Sequence, residues 1–401
     1  MKNIQDIDIN GKTVILRCDF NVPLKDGQVD DDTKIIKSLK TIKYIVEKNA
    51  KVILMSHLGR IKSQHDKENN SLKVIADYLK IQLNKDIVFF DKTRDINLKE
   101  NIDNLPLGTI IMLENTRFED VPSKLESSNN LELAKYWASL GDIFCLDAFG
   151  SAHRSHASTA GIGAFIPSCL GFLMQEELEN LSYLIDNPKR PFTIIMGGAK
   201  VDDKIKLIES LLPKCDYFLA TGGIANSFLK ALGFNVGASL ATNNPEIITK
   251  LRELMLNNKN KIVLPLDATV ANTYDENYIK FKSIGDIGKD EIIYDIGSKT
   301  INKYKIAIDR SKTIFVNGTS GLYENPKYAN GTTQMFTNLS MSQADVYIGG
   351  GDSVAAAKKL GFEGKFKYMS SGGGATLEYL GDGKLEAIEF LKEHSNEKTN
   401  A

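Results

Sequence analysis

Short apolar runs recur along the chain, and each gives way at its carboxyl end to polar residues or glycines before a stretch with helical spacing begins. Thr13 to Cys18 leads into Asp19, Phe20 and Asn21, and Lys51 to Met55 into Ser56-His57-Leu58-Gly59-Arg60. Thr109 to Leu113 leads into Glu114-Asn115-Thr116-Arg117-Phe118, and Asp142 to Leu146 into the polar run Asp147 to His156. Apolar strands alternating with helices predict parallel sheets, and in such sheets ligands bind beyond the carboxyl ends of the strands. That is where this chain concentrates its polar residues.

The theme resumes after a break. Around Ile166 to Met174 the pattern changes, with Pro167 and Gly171 before a helix expected from about Gln175 to Ile185, and Asn187 to Pro191 punctuates the chain again. The expected division is therefore a first domain over 1–170, a connector over 171–185, a second domain over 186–380 and a terminal segment over 381–401. In the second half, strands are expected at Phe192 to Met196, Asp216 to Ala220, Lys261 to Leu264, Glu291 to Tyr294, Lys312 to Val316 and Lys365 to Met369. A further apolar run from Ala344 enters Gly349-Gly350-Gly351-Asp352-Ser353.

The two halves carry different chemistry. In the first, Asp26-Gly27 marks a turn, Asp30 to Asp32 follow, and a helix buries Ile35, Leu39, Ile42 and Val46, with Lys34 in its first turn. A cation there opposes the helix dipole, which the three acids can offset, so its placement is more suggestive than that of an ordinary surface lysine. Arg60, Arg117 and Arg154 occupy equivalent positions after three strands, with His57 and Lys34 available, which predicts a small, multiply anionic ligand. His153 and His156 also have the look of a metal pair, but no third ligand has a supporting spacing.

In the second half, Gly198 and Ala199 precede Lys200 and Lys204, which lie one turn apart and off the stripe formed by Val201, Ile205, Ile208 and Leu212, so both amines can reach one phosphate chain. The glycines at Gly349 to Gly351 permit close backbone approach, and the helix that follows favours an anion. Asp352 would repel bound phosphates unless a divalent cation lay between them, so the stretch reads as a Mg²⁺–nucleotide site. A turn capped by Asp352 or Ser353 is the alternative.

Global charge recruits nothing. Lys and Arg number 50 against 51 Asp and Glu, for a net charge of −1, so neither nucleic acid nor an anionic membrane is an expected partner. The four cysteines, Cys18, Cys145, Cys169 and Cys215, form no C-x-x-C pair and are expected to be reduced thiols in a cytoplasmic protein. The start has no apolar signal-peptide core, and no segment approaches a membrane-spanning length.

Taken together and in order, RCDFNVP, SHLGR, ENTRF, DAFGSAHRSH, GGAKVDDKI, GGGDS and SSGGGATLE resemble the motifs of the phosphoglycerate kinase family along nearly the whole chain, and GFLM at Gly171 to Met174 is similar to that family's domain connector. The resemblance implies two doubly wound, Rossmann-like α/β domains joined by a hinge, with the C-terminal segment returning to the first domain. It implies that Asp19, Phe20, Asn21, Lys34, His57, Leu58, Gly59, Arg60, Arg117 and Arg154 hold 3-phosphoglycerate or 1,3-bisphosphoglycerate. Gly198, Ala199, Lys200, Lys204, Asn317, Glu324, Gly350, Gly351, Asp352 and Ser353 would hold ADP or ATP, with Asp352 on the Mg²⁺. Lys34, Lys200, Lys204 and Asp352 are the expected catalytic residues, and the chain is expected to act as a monomer.

Three departures from the family pattern matter. Lys34 stands where the family has arginine, Val316-Asn317-Gly318-Thr319 where it has Trp-Asn-Gly-Pro, and Leu146 where it has Asn. Lys34 and Thr319 motivate a rival reading, a nucleotide- and metabolite-binding protein with impaired catalysis. A nicotinamide dehydrogenase is disfavoured because no G-x-G-x-x-G follows a strand with an acid ~20 residues on.

Overall fold

The strands form two separate six-stranded parallel sheets, described from a computed structural model over residues 1–199, 201–272 and 279–395. Contacts divide the chain into two units, Met1–Glu179 with Lys384–Ala401, and Asn180–Gly383. The helix Phe172–Asp186 contains the boundary. Among the described residues no helix is long and apolar enough to cross a membrane.

In the first unit the sheet order is Ile87–Phe90, Ile110–Leu113, Lys51–Met55, Thr13–Cys18, Ile143–Asp147, Ser168–Leu170. The first strand in sequence is thus internal, and the chain completes one side, inserting Ile110–Leu113 between Lys51–Met55 and the edge strand Ile87–Phe90, before crossing to the other. Arg17 pairs in register with Met55 and with Leu146, and Cys18 with Asp147. Such an order leaves a crevice at the carboxyl ends of the strands flanking the switch point. Asp26 and Gly27 both have positive φ, 52° and 73°, and close a two-residue hairpin between Leu24–Lys25 and Gln28–Val29. The helix Thr33–Glu47 buries Ile35, Leu39 and Ile42 as expected, but Ile45 turns inward where Val46 was expected, and Val46 is only half-buried.

The second unit repeats the plan. Its sheet order is Ile262–Val263, Tyr217–Ala220, Phe192–Met196, Thr313–Asn317, Asp345–Gly349, Tyr368–Met369. One expectation fails here. The run at Glu291 to Tyr294 does not join the parallel sheet; the strand Ile292–Ile296 belongs to a separate antiparallel sheet with Asp267–Ala271 and Lys280–Ser283. Glycine packing joins two loops of the main sheet: Gly318 has φ +87° and a Cβ there would strike the backbone of Gly197, whose N–H donates to the Asn317 carbonyl at 2.7 Å.

Two features tie the ends of the first unit together. Asp147 closes its strand and accepts from the Met174 N–H at 3.1 Å, in the first turn of the helix Phe172–Asp186. Its other oxygen, Oδ2, has no hydrogen-bond partner among the described residues. The helix Glu386–Ser395 lies in this unit and buries Ala387, Ile388 and Leu391, with Leu385 just before it. Its Ala387 N–H donates to the Ala152 carbonyl at 3.0 Å, and the Glu386 carboxylate accepts from the Ser155 N–H at 3.3 Å. Arg154 lies on the loop between those anchors.

Candidate active site

In the first unit a cavity of about 250 Å³ is lined by residues that follow the strands: Asp19, Asn21, His57, Gly59, Arg60, Arg117 and Arg154, with Lys34 from the adjoining helix. Gly150, Ser151, His153 and His156 complete the lining. The structure therefore brings together eight of the ten residues expected at the phosphoglycerate site. The other two, Phe20 and Leu58, are buried and do not line it. Phe20 instead donates its N–H to Ser56 Oγ at 2.8 Å.

Local hydrogen bonds fix the lining. Lys34 Nζ pairs with Asp19 Oδ2 at 2.9 Å. Gly59, at φ +67°, is held from both sides, its N–H donating to Asn21 Oδ1 at 2.9 Å and its carbonyl accepting from Arg117 at 2.7 Å. Glu114 and Asn115 act from behind: the buried Glu114 carboxylate accepts from the Leu72 and Asn115 N–H groups, each at 2.7 Å, and Asn115 Nδ2 donates to the carbonyls of Leu58 and Asn70. The Glu-Asn-Thr-Arg-Phe run thus divides into scaffold residues and one cation that faces the cavity.

The site's electrostatics favour an anion. Among its lining residues Asp19 is the one carboxylate, against Lys34, Arg60, Arg117 and Arg154. The histidines do not add charge. Burial, then Arg17, Arg117 and Lys34, hold His57 well below the usual imidazole range; burial and the same two arginines bring His156 down to about 4. His153 is lowered by burial and then by Arg154. Several cations beside one carboxylate, with neutral imidazoles as hydrogen-bonding groups, suit a ligand with more than one negative charge. The possible metal pair at His153 and His156 gains no support, because among the described residues no three His, Cys, Asp or Glu side chains cluster as a metal site.

In the second unit a cavity of about 260 Å³ is walled by glycines and apolar residues, including Gly198, Ala199, Gly222, Gly223, Leu240, Pro265, Ile284, Leu322 and Tyr323, with Glu324 and Asp352 also on its lining. A pocket whose walls are largely apolar fits a small organic ligand. The residues expected to hold nucleotide divide here. Gly198, Ala199, Glu324 and Asp352 line the cavity, whereas Lys204, Asn317, Gly350, Gly351 and Ser353 do not. Lys204 Nζ donates to the Gly197 carbonyl at 2.9 Å and to Asn317 Oδ1 at 2.7 Å. Asn317 Nδ2 in turn donates to the Gly349 carbonyl at 2.8 Å, and Ser353 Oγ accepts from the Gly318 N–H. These bonds lash three strand-end loops together. Lys200 lies outside the described residues.

Asp352 sits in the first turn of the helix Gly351–Lys359, exposed and with no hydrogen bond or ion pair among the described residues. The N-cap is Gly350, with no side-chain cap bond, so neither Asp352 nor Ser353 serves as the cap that was the alternative reading. A hard cation such as Mg²⁺ is commonly held by one or two carboxylates plus ligand phosphates and water, and an uncommitted carboxylate on this cavity fits that pattern.

Sequence reasoning missed Arg17 and Asp295. Arg17 lies behind His57, where a charge inside an otherwise apolar strand was the available signal. Asp295 lines the second cavity; burial pushes it up to about 7, and it accepts from the Gly331 N–H at 2.6 Å.

Comparison with known proteins agrees along the whole chain. The family model described as phosphoglycerate kinase matches residues 4–384. The phosphoglycerate kinase of Fusobacterium nucleatum subsp. nucleatum is 45% identical, covering 97% of this chain and 99% of that protein; that of Enterococcus faecalis is 45% identical, covering 98% and 99%. Among solved structures, phosphoglycerate kinase from Coxiella burnetii aligns with TM-score 0.88 at 35% identity over 98% of this chain and 99% of its own. The enzyme from Pyrococcus horikoshii OT3 aligns at 0.84 and 30% identity, over 99% and 100%.

Proposed function

Because the chain belongs to the phosphoglycerate kinase family, we propose that the cationic cavity of the first unit holds 3-phosphoglycerate or 1,3-bisphosphoglycerate and the glycine-walled cavity of the second holds ADP or ATP. The enzyme is a phosphotransferase with a carboxyl group as acceptor, transferring a phosphoryl group reversibly between 1,3-bisphosphoglycerate and ADP in glycolysis. The observation that carries the site assignment is the group of four lining cations opposed by the single carboxylate Asp19.

The chemistry asks little of the protein beyond charge and alignment. The acceptor oxygen is ionised at neutral pH, so no general base is required. Lys34, Arg60, Arg117 and Arg154 neutralise the phosphoglycerate, and His57 donates a hydrogen bond to it. In the second unit, Lys200 reaches the nucleotide phosphates, Glu324 the ribose, and the amides opening the helix at Gly351 the phosphate oxygens. Lys204 and Asn317 keep the glycine loops in register for the nucleotide. Mg²⁺, held by Asp352, supplies neutralisation of charge on the nucleotide phosphates when bound. The two substrates must meet for transfer, so the connector 171–185 is proposed as the hinge, and closure excludes water that would hydrolyse the acyl phosphate. The protein is proposed to work as a cytoplasmic monomer.

ATP formation from 1,3-bisphosphoglycerate and ADP, followed in a coupled assay, tests the reading directly; no turnover by folded protein would overturn it. Two variants probe the cavities separately. Arg154→Ala is expected to weaken phosphoglycerate binding about 10-fold, the value of one charge-assisted contact at ~1.5 kcal/mol, with nucleotide affinity unchanged. Calorimetry showing the reverse pattern would exchange the two cavities. Asp352→Asn keeps the fold and loses a charge, so turnover should fall by up to about 10-fold with an increased magnesium requirement. A parental magnesium titration would remove Asp352 from the metal.

A further inference from the structure

We propose that Arg17 is a positioning residue which, by holding Nδ1 of His57 as an acceptor, presents the Nε2–H of that ring to the phosphoglycerate. The proposal rests on the assignment of the first cavity made above. Arg17 belongs to the central strand Thr13–Cys18 and is fully buried. Its Nη2 lies 3.0 Å from His57 Nδ1, its Nε donates to Ser158 Oγ at 2.8 Å, and its Nη1 donates to the Cys18 carbonyl and, at 3.4 Å, to Ser56 Oγ.

The chemistry leaves one tautomer. A guanidinium has donors and no acceptor, so the His57 nitrogen facing it must accept, and the proton of the neutral ring must reside on Nε2. His57 lines the cavity, and among the described residues its Nε2 makes no hydrogen bond. The neutral form is favoured first by burial and then by Arg17 itself. Without a fixed partner on Nδ1, a neutral imidazole would offer a lone pair or a proton to the anion according to its tautomer, and only the proton attracts an anion.

The charge of Arg17 is answered through a hydroxyl. Ser158 Oγ accepts from Arg17 and donates to the carboxylate of the fully buried Glu126, which also accepts from the Ser158 N–H at 3.0 Å. Buried opposite charges, even when paired directly, are weak stabilisers, because desolvation offsets most of the attraction and apolar replacements of the same shape are often neutral or better. Stability of the fold therefore gives little reason for a guanidinium at this position, whereas orientation of an imidazole gives a specific one.

The test begins on the unaltered full-length protein without ligand, using ¹⁵N-histidine NMR, with the His57 signals identified by their loss in His57→Gln. Nδ1 is expected to show the shift of an unprotonated nitrogen and Nε2 that of a protonated one; a proton on Nδ1 overturns the proposal outright. Arg17→Met alone would strand the Glu126 carboxylate, so the functional variant is the double substitution Arg17→Met with Glu126→Gln. It is expected to lose the tautomer bias and to raise the phosphoglycerate KM about 10-fold, the value of one hydrogen bond to a charged group at ~1.4 kcal/mol, with nucleotide KM parental. A folded double variant with parental phosphoglycerate KM, or with His57 still protonated on Nε2 alone, overturns the role of Arg17. Parental phosphoglycerate affinity in His57→Ala would overturn the assignment of His57 to the ligand and the positioning role with it, and is distinguishable from failure of the tautomer itself, which is read with no substrate present.

Discussion

Lys34→Ala should lower kcat by about 100-fold while the nucleotide KM stays near its parental value. Two losses combine. A charge-assisted contact to the transferring phosphoryl group, made as charge develops, is worth ~1.5 to 3 kcal/mol, or about one to two decades in rate. The substitution also leaves Asp19, whose side chain is only 6% exposed, without its partner at 2.9 Å, a carboxylate that would then repel the substrate. Lys34→Arg should equal or exceed the parent, since a planar fork can keep the pair with Asp19 and still offer an N–H to the ligand, where an ammonium makes point contacts. The competing account makes Lys34 a structural partner of Asp19 alone. Steady-state kinetics separates the two: an alanine variant with parental kcat and a weakened phosphoglycerate KM would take Lys34 out of the transfer step.

The second large effect concerns stability and pH. Burial raises Asp147 from 3.8 to about 6 in the folded protein, against opposing hydrogen bonds from Thr41, Met174 and Leu173. A carboxyl whose folded pKa is raised binds its proton more tightly folded than unfolded, so stability falls as pH climbs from about 4 to about 6 and is level above. A shift of that size corresponds to about 3 kcal/mol lost by pH 7. Asp147→Asn keeps an acceptor for Met174 and cannot ionise. It should match the parent near pH 4 and exceed it by up to about 3 kcal/mol at pH 7. Urea unfolding followed by Trp137 fluorescence reads the right unit, because Trp137 is the single tryptophan and is buried in the first one, with Nε1 donating to the Thr93 carbonyl at 2.9 Å. A difference between the two proteins that does not change with pH would show that Asp147 is not the titrating group.

The parallel sheets were legible because their strands are apolar throughout and end on polar residues or glycines, a pattern that survives without any long-range information. What was not legible has physical causes. The strand Ile87–Phe90 lies at a sheet edge, is four residues long and half-buried, too short a run to stand out from its surroundings. Lys280–Ser283 alternates lysines around Phe281, which is 74% exposed; its pairing with Asp267–Ala271 comes from backbone bonds, so no buried face marks it. Consequently the run at Glu291 to Tyr294 read as one more parallel strand. At the site, the residues that face the first cavity follow strand ends and could be found that way. The division of labour in the second half could not, because whether Lys204 faces a cavity or lashes Gly197 to Asn317 depends on the twist of one loop. Arg17 was hidden by its neighbours: in Thr-Val-Ile-Leu-Arg-Cys one charge leaves the apolar strand pattern intact, and only the three-dimensional meeting with Ser158 and His57 reveals its role.

The helix Glu386–Ser395, packed beside the loop that carries Arg154, sets an order of manufacture. A ribosome makes the stretch from 180 to 383 without interruption, so the second unit has all of its own residues as soon as that stretch has emerged. The first unit, although most of it is made before the second, lacks the N–H of Ala387 for the Ala152 carbonyl and the side chain of Leu391 against Gly163 until the helix Glu386–Ser395 has been made. Domains generally fold as units during synthesis, earlier ones first, and this chain inverts that habit: of the two units, the one begun first is finished last, and a nascent chain stalled short of the helix Glu386–Ser395 would carry a completed second unit and an unfinished first one.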